Sequence, residues 1–85
     1  MKIKVKYFAL LREAVGTGEE TVEVAVAAPT VADVRAACIA IDAKHAEAFA
    51  SVRRIRAAVD GVMASDSALV AEAAEVAFFP PVTGG

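Results

Sequence analysis

Hydrophobic and polar positions alternate almost without a break over residues 2–8. Ile3, Val5 and Tyr7 fall on one side, and Lys2, Lys4, Lys6 and Phe8 on the other. A period of two is that of a strand with one buried face. Residues 9–15 lose the alternation and read as a short helical turn, with Gly16 placed for a left-handed cap. Alternation returns over 21–26, with Val22, Val24 and Val26 directed inward; Glu19, Glu20 and Glu23 are placed to answer the lysines of the first strand. Pro29-Thr30-Val31-Ala32-Asp33 is a helix start, with Thr30 as N-cap and Asp33 three residues on. Val31, Val34, Cys38 and Ile41 recur at spacings of three and four, the apolar stripe of a main helix running to about residue 44 or 45. Residues 46–53 fit either a continuation of that helix or a loop. Ile55, Ala57 and Val59 alternate inward over 54–60, Asp60-Gly61 is a two-residue hairpin signal, and 62–64 is a short return strand. Residues 65–74 connect, with room for one helical turn, to a last strand over 75–79. There Val76 and Phe78 share one face, and Ala77 and Phe79 the other. Pro80 and Pro81 have no N–H to give a ladder, so pairing stops there.

One amphipathic helix against one apolar sheet face is a two-layer α+β arrangement. The element order is that of the β-grasp, or ubiquitin-like, fold: a mixed sheet of about five strands packed on one main helix. Residues 1–79 form this domain, and 80–85 are expected as a flexible tail ending in Gly84-Gly85.

Composition narrows the function. A chain of 85 residues supports one small core. Its 58% hydrophobic content is inflated by alanine, which adds little volume. A net charge of -2 with no basic stripe speaks against nucleic acid. A lone Cys38 excludes an internal disulfide framework and a cysteine-rich metal site. No apolar run approaches the ~20 residues of a membrane span, and nothing at the start reads as a signal segment; a cytoplasmic location is expected.

Side chains suited to chemistry are few. Cys38, on the apolar stripe, is expected as a small core hydrophobe. His45 stands alone and is expected at a helix end on the surface, not as a metal ligand. Gly16-Thr17-Gly18 lacks the rest of a phosphate loop. Ser51, Ser65 and Ser67 have no base in any recognisable motif, and Arg53, Arg54 and Arg56 form a small basic cluster that reads as a solvated strand edge first and as a partner contact second. No metal and no permanently bound cofactor are expected. The end of the sequence is left: Pro80-Pro81-Val82-Thr83-Gly84-Gly85. Glycines at 84 and 85 let main chain pass a slot that a Cβ would block. Two prolines restrict the root and lower the entropy lost on insertion. The carboxylate of Gly85 then becomes the reactive group, with a reach from Pro80 of at most roughly 20 Å. Phe8 and Phe79 fall on the lysine-bearing face of strands expected to be neighbours. With Met63, and Arg12 at the rim, they form an apolar patch suited to a protein partner.

Three stretches carry a family resemblance. Glu75-Val76-Ala77-Phe78-Phe79-Pro80-Pro81-Val82-Thr83-Gly84-Gly85 resembles the C-terminus of the small-subunit family of molybdopterin synthase. Val5-Lys6-Tyr7-Phe8-Ala9-Leu10-Leu11-Arg12-Glu13 resembles that family's start, and Ala57-Ala58-Val59-Asp60 its third strand. One departure is Ala73-Ala74, where the family usually has a Gly-Asp type turn. The resemblance implies a sulfur carrier that is not catalytic alone. An ATP-consuming, ubiquitin-activating-like adenylyltransferase would adenylate Gly85, and a sulfur donor protein would convert it to a thiocarboxylate. The large synthase subunit would then use that sulfur on cyclic pyranopterin monophosphate, in molybdenum cofactor synthesis. Gly84 would allow threading, while Phe8, Arg12, Met63, Phe79, Pro80, Pro81, Val82 and Thr83 would contact partners. The competing functions are a ubiquitin-like protein modifier, a sulfur carrier for thiamine or cysteine synthesis, and an interaction module with an inert tail.

Overall fold

The computed structural model describes residues 1–81. The elements are β1 (Lys2–Tyr7), α1 (Ala9–Val15), β2 (Glu19–Glu23), α2 (Val31–Ile39), α3 (Ala43–Ser51), β3 (Arg56–Val59), β4 (Val62–Ala64) and β5 (Glu75–Phe79). The strands form one mixed sheet in the order β2-β1-β5-β3-β4. β1 and β5 run parallel at its centre, and the other pairs are antiparallel. This is the α+β, ubiquitin-like β-grasp architecture.

Alternation decides the inner face. Ile3, Val5, Tyr7, Val22, Val76 and Phe78 are buried against the helical layer, as are Val31, Val34 and Cys38 of α2. The turns follow from local chemistry. Gly16 caps α1 at φ 93, and its N–H donates to the Arg12 carbonyl. Asp60 and Gly61 both have positive φ, the primed turn that a two-residue hairpin requires. Thr30 and Asp33 form a reciprocal capping box at the start of α2. The 65–74 connection has no helical turn; it is tied to that start by Val31 N–H to the Ala68 carbonyl and Val70 N–H to the Pro29 carbonyl.

The helical layer differs from expectation. The main helix stops at Ile39 rather than near residue 45, and 46–53 lie largely in a second helix, α3. Asp42 makes the break. Its carboxylate accepts the His45 N–H at 2.8 Å, giving a first-turn donor of α3 a partner. Ile41 falls in the joint and is exposed, not buried as the stripe implied. In its place α3 brings Ala48 and Phe49 onto the core, Phe49 packing edge-on to Tyr7 and Phe78 at ring-centre distances of 6.1 and 5.5 Å. β2 starts earlier than expected, with Glu19 opposite Lys6, and ends at Glu23, so Val26 is exposed rather than inward.

Ala73, at the departure from the family pattern, has φ 68. The turn thus keeps a backbone conformation that favours glycine, which costs an alanine roughly 1–2 kcal/mol. Glycine loses about 0.5–1 kcal/mol more chain entropy on folding. Ala73→Gly is therefore expected to stabilise by up to about 1 kcal/mol, raising the unfolding midpoint by several degrees. A lowered midpoint by thermal denaturation would contradict this.

Candidate functional site

β5 carries the chain to one end of the sheet, and Pro80 and Pro81 follow directly. Val82, Thr83, Gly84 and Gly85 lie outside the described residues. The surroundings of their root are defined. Tyr7 pairs with Phe78, and the Phe8 N–H donates to the Phe78 carbonyl at 3.2 Å, so Phe8 sits one step on, beside Phe79. Phe8 is exposed and Phe79 half-buried. Arg56 pairs with Phe79, and Ala77, Ala58 and Met63 follow one another across β5, β3 and β4. The exposed Met63 is thus two strands from Phe79 and two pairing levels away, with small alanines between. Phe79 and Met63 flank a shallow apolar floor; they do not form one cluster. Arg12 and Phe8 line a single cleft beside Gly18 and Glu19, which places Arg12 at the rim of the patch.

On the helical side of the root, an open groove of roughly 760 Å³ is lined by Leu10, Val52, Arg53, Arg54, Pro80 and Pro81. The sequence pattern favours a solvated edge for Arg53 and Arg54, with a partner contact as the second reading. The α3–β3 turn, with Arg54 at φ 54, brings them against the prolines.

The remaining candidates are structural. Cys38 is fully buried, and burial pushes its thiol up to about 11, so it is a neutral thiol with no path to solvent. His45 corrects the sequence reading: it is buried, not on the surface. Its Nδ1 lies 2.7 Å from Asp42 Oδ1 and its Nε2 2.6 Å from Glu20 Oε2, which also accepts the Tyr7 hydroxyl at 2.7 Å. Glu20 does not answer the lysines either. It pairs with Val5, whose side chain faces inward, so Glu20 lies on the core-facing side of β2. Counting back by two from Val22 places it there; only the fold shows that α3 meets it. Because His45 spends its two nitrogens on opposite carboxylates, the group does not chelate. Among the described residues no set of His, Cys, Asp and Glu could hold a metal ion.

Burial opposes the imidazolium most strongly, but hydrogen bonds to Asp42 and Glu20 outweigh it and raise the His45 pKa above its ordinary value. A raised folded pKa gives stability that is complete below the unfolded value of about 6.5 and is lost as pH climbs through the folded one. The unfolding free energy is therefore expected to fall as pH rises above the unfolded value and through the raised folded one, and His45→Gln to flatten that slope. Urea titrations across the range check this; an equal slope in the variant would remove His45 as the cause. Donated hydrogen bonds from His45 hold the Asp42 carboxyl below its usual range, so its own contribution is lost only on the acid side.

No helix among the described residues is long and apolar enough to cross a membrane. The ThiS family model matches residues 5–85. A molybdopterin synthase sulfur carrier subunit of Escherichia coli (strain K12) is 42% identical over 83 residues, 98% of this chain and 99% of the relative. SAMP1 of Haloferax volcanii superimposes with a TM-score of 0.81 at 30% identity over the whole of both chains. The small archaeal modifier protein 1 of Methanosarcina acetivorans gives 0.72 at 24% identity, over 99% of this chain and 96% of that one, a likeness of fold alone.

Proposed function

The chain belongs to the ThiS family, and on that footing we propose that it is the sulfur carrier subunit of a molybdopterin synthase. The observation that carries this reading is its similarity, over nearly the whole of both chains, to the E. coli sulfur carrier subunit. Cys38, the one thiol, is buried and protonated, so it is not the group that carries the sulfur. The reactive group is the Gly85 carboxylate. A carboxylate is a poor electrophile, since it has no good leaving group. Attack of its oxygen on the α-phosphorus of ATP, in an adenylyltransferase partner, releases pyrophosphate and leaves an acyl-adenylate. Sulfide delivered by a donor protein then attacks the acyl carbon, AMP departs with the electron pair of the broken C–O bond, and the product is the thiocarboxylate. Two simple steps replace one difficult step. In the large synthase subunit the thiocarboxylate sulfur passes to cyclic pyranopterin monophosphate, and two such transfers make the dithiolene. No cofactor stays on this chain; ATP is consumed on the partner.

Incubation with the cognate activating enzyme, ATP and a sulfide source tests this by intact mass. Exchange of one oxygen for sulfur is expected, reversed on adding the large subunit and the pterin precursor. An unchanged mass with an active enzyme would overturn the reading. The likeness to SAMP1 favours a second one, in which Gly85 is joined to a lysine amine of another protein. Isopeptide-linked ladders in cells, lost on deletion of Gly85, distinguish it.

The Phe8–Phe79 side of the root serves partner docking in the proposed function, because aromatic anchors commonly dominate such interfaces. Phe79→Ala is expected to weaken binding to the large subunit or to the activating enzyme by about tenfold or more. Its half-buried ring makes the accompanying loss of stability smaller. Unchanged affinity for both partners, by calorimetry, would remove the patch from the mechanism.

A further inference from the structure

The groove on the helical side of the tail root is not used by anything described above. Its floor and walls are apolar at Leu10, Val52, Pro80 and Pro81, and Leu10 is strongly exposed for a leucine. Its charged lining is of one sign, Arg53 and Arg54. Elsewhere on the domain several cations are answered, Lys4 by Glu19, Lys6 by Glu75, Arg35 by Asp66 and the terminal amine by Glu23, while among the described residues Lys2 and Lys44 have no carboxylate within ion-pair distance. Among the described residues Arg12, Arg53, Arg54 and Arg56 have no carboxylate within ion-pair distance. In a chain of net charge -2, Arg53 and Arg54 thus stand without a counter-charge among the described residues beside Pro80 and Pro81, and Arg56 pairs with Phe79 directly before them. Arg54 also holds a left-handed backbone, at φ 54, where glycine or asparagine would be less strained.

We infer that this groove is a docking site for an acidic segment, bearing an apolar side chain, of the protein that takes the tail. The inference rests on the proposed function for who the partner is, and on the groove alone for the chemistry. A partner that encloses the tail must cover its root on two sides. The Phe79 side offers aromatic contact, and the groove offers apolar contact with two free guanidinium groups. Guanidinium groups match carboxylates in bidentate geometry and are weakly hydrated, so they suit an interface better than lysines would. Carboxylates facing Arg53 and Arg54 steer the approach, and the apolar side chain fills the space between Leu10 and the prolines.

Two measurements test it on the full chain. First, a synthetic peptide alternating glutamate and leucine is titrated into isotopically labelled protein and followed by amide NMR shifts. Shifts centred on Leu10, Val52, Arg53 and Arg54 are expected. They should vanish for the peptide with lysine in place of glutamate, and for the Arg53→Glu/Arg54→Glu variant. Second, that variant is expected to bind the purified activating enzyme or large subunit about tenfold or more weakly. It should also lose most of the salt dependence of binding, while Arg53→Lys/Arg54→Lys retains a good part of both. An unchanged melting curve for each variant confirms its fold. Absence of groove shifts with the acidic peptide would overturn the inference, as would wild-type affinity and salt dependence of the charge-reversed chain for both partners. If the unmodified chain binds neither protein, the sulfur-carrier reading fails, and the peptide titration still decides the groove.

Discussion

A chain lengthened by one residue after Gly85 is expected to fold and melt like the original and to transfer no sulfur. The fold is held by the sheet and its helices, and among the described residues Phe78 is the last member of the buried core. The proposed chemistry needs one atom group in two places in turn, against an ATP phosphate and then against a pterin. Misplacement of a reacting group by even ~1 Å can cost about a hundredfold in rate. An added residue does more than misplace the group: it turns the Gly85 carboxylate into an amide, which cannot attack phosphorus. Deletion of Gly85 leaves a carboxylate that stops a residue short, with the same expected loss. Cys38→Ala should transfer sulfur normally with a modest loss of stability, since the thiol is core packing. The assay is a purified system of activating enzyme, sulfide, large subunit and pterin precursor, with no protease present. Sulfuration by the lengthened chain under those conditions would sink the sulfur-carrier mechanism.

The largest effect on stability is expected from Phe78→Ala. Phe78 is fully buried on β5, between β1 and β3, with the Phe49 ring edge-on at 5.5 Å. The Arg35 guanidinium lies over its face, 5.3 Å from the ring centre, while also donating to the Ile55 carbonyl and to Asp66. Truncation empties the place where the sheet, α3 and that arginine meet, and the surroundings relax only partly. The cost is about 3–5 kcal/mol. In a domain of this size that lowers the midpoint by more than about 12 °C, enough to leave much of the chain unfolded under ordinary conditions. Urea denaturation measures it, and Phe78→Leu should lose clearly less. A loss below about 1 kcal/mol for the alanine variant would mean that the core does not close on this ring.

Much of the architecture follows from local pattern. The period of two fixed the inward sets Ile3–Val5–Tyr7 and Val76–Phe78, because a strand with one buried face has no other way to place its side chains. Asp60-Gly61, Gly16 and the Thr30–Asp33 box work within a few residues, so their chemistry is visible wherever they stand. The pairing of β1 with β5 follows once the fold class is inferred, and with it the proximity of Phe8 to Phe79 at the tail root. The proposed reactive end rests on residue types and family resemblance, and its last four residues lie outside the described structure.

Contacts between distant segments were settled only by the tertiary structure. The stripe of α2 extends on paper to Ile41, yet Asp42 caps a new helix, and α3 takes the place that a longer α2 would have filled. Helix periodicity cannot report such a break, because a capping carboxylate and a solvent-facing one look alike in sequence. His45 looked solitary because its partner Glu20 is 25 residues away and reaches it only when β2 and α3 share a layer. Arg53 and Arg54 looked like a solvated edge because the prolines that complete their groove come from the far end of the chain. Sequence by itself determined the direction of side chains within each element, a matter of backbone geometry. Which charges are answered, which are buried and which remain free at the tail root depended on long-range packing, and only the assembled fold decided it.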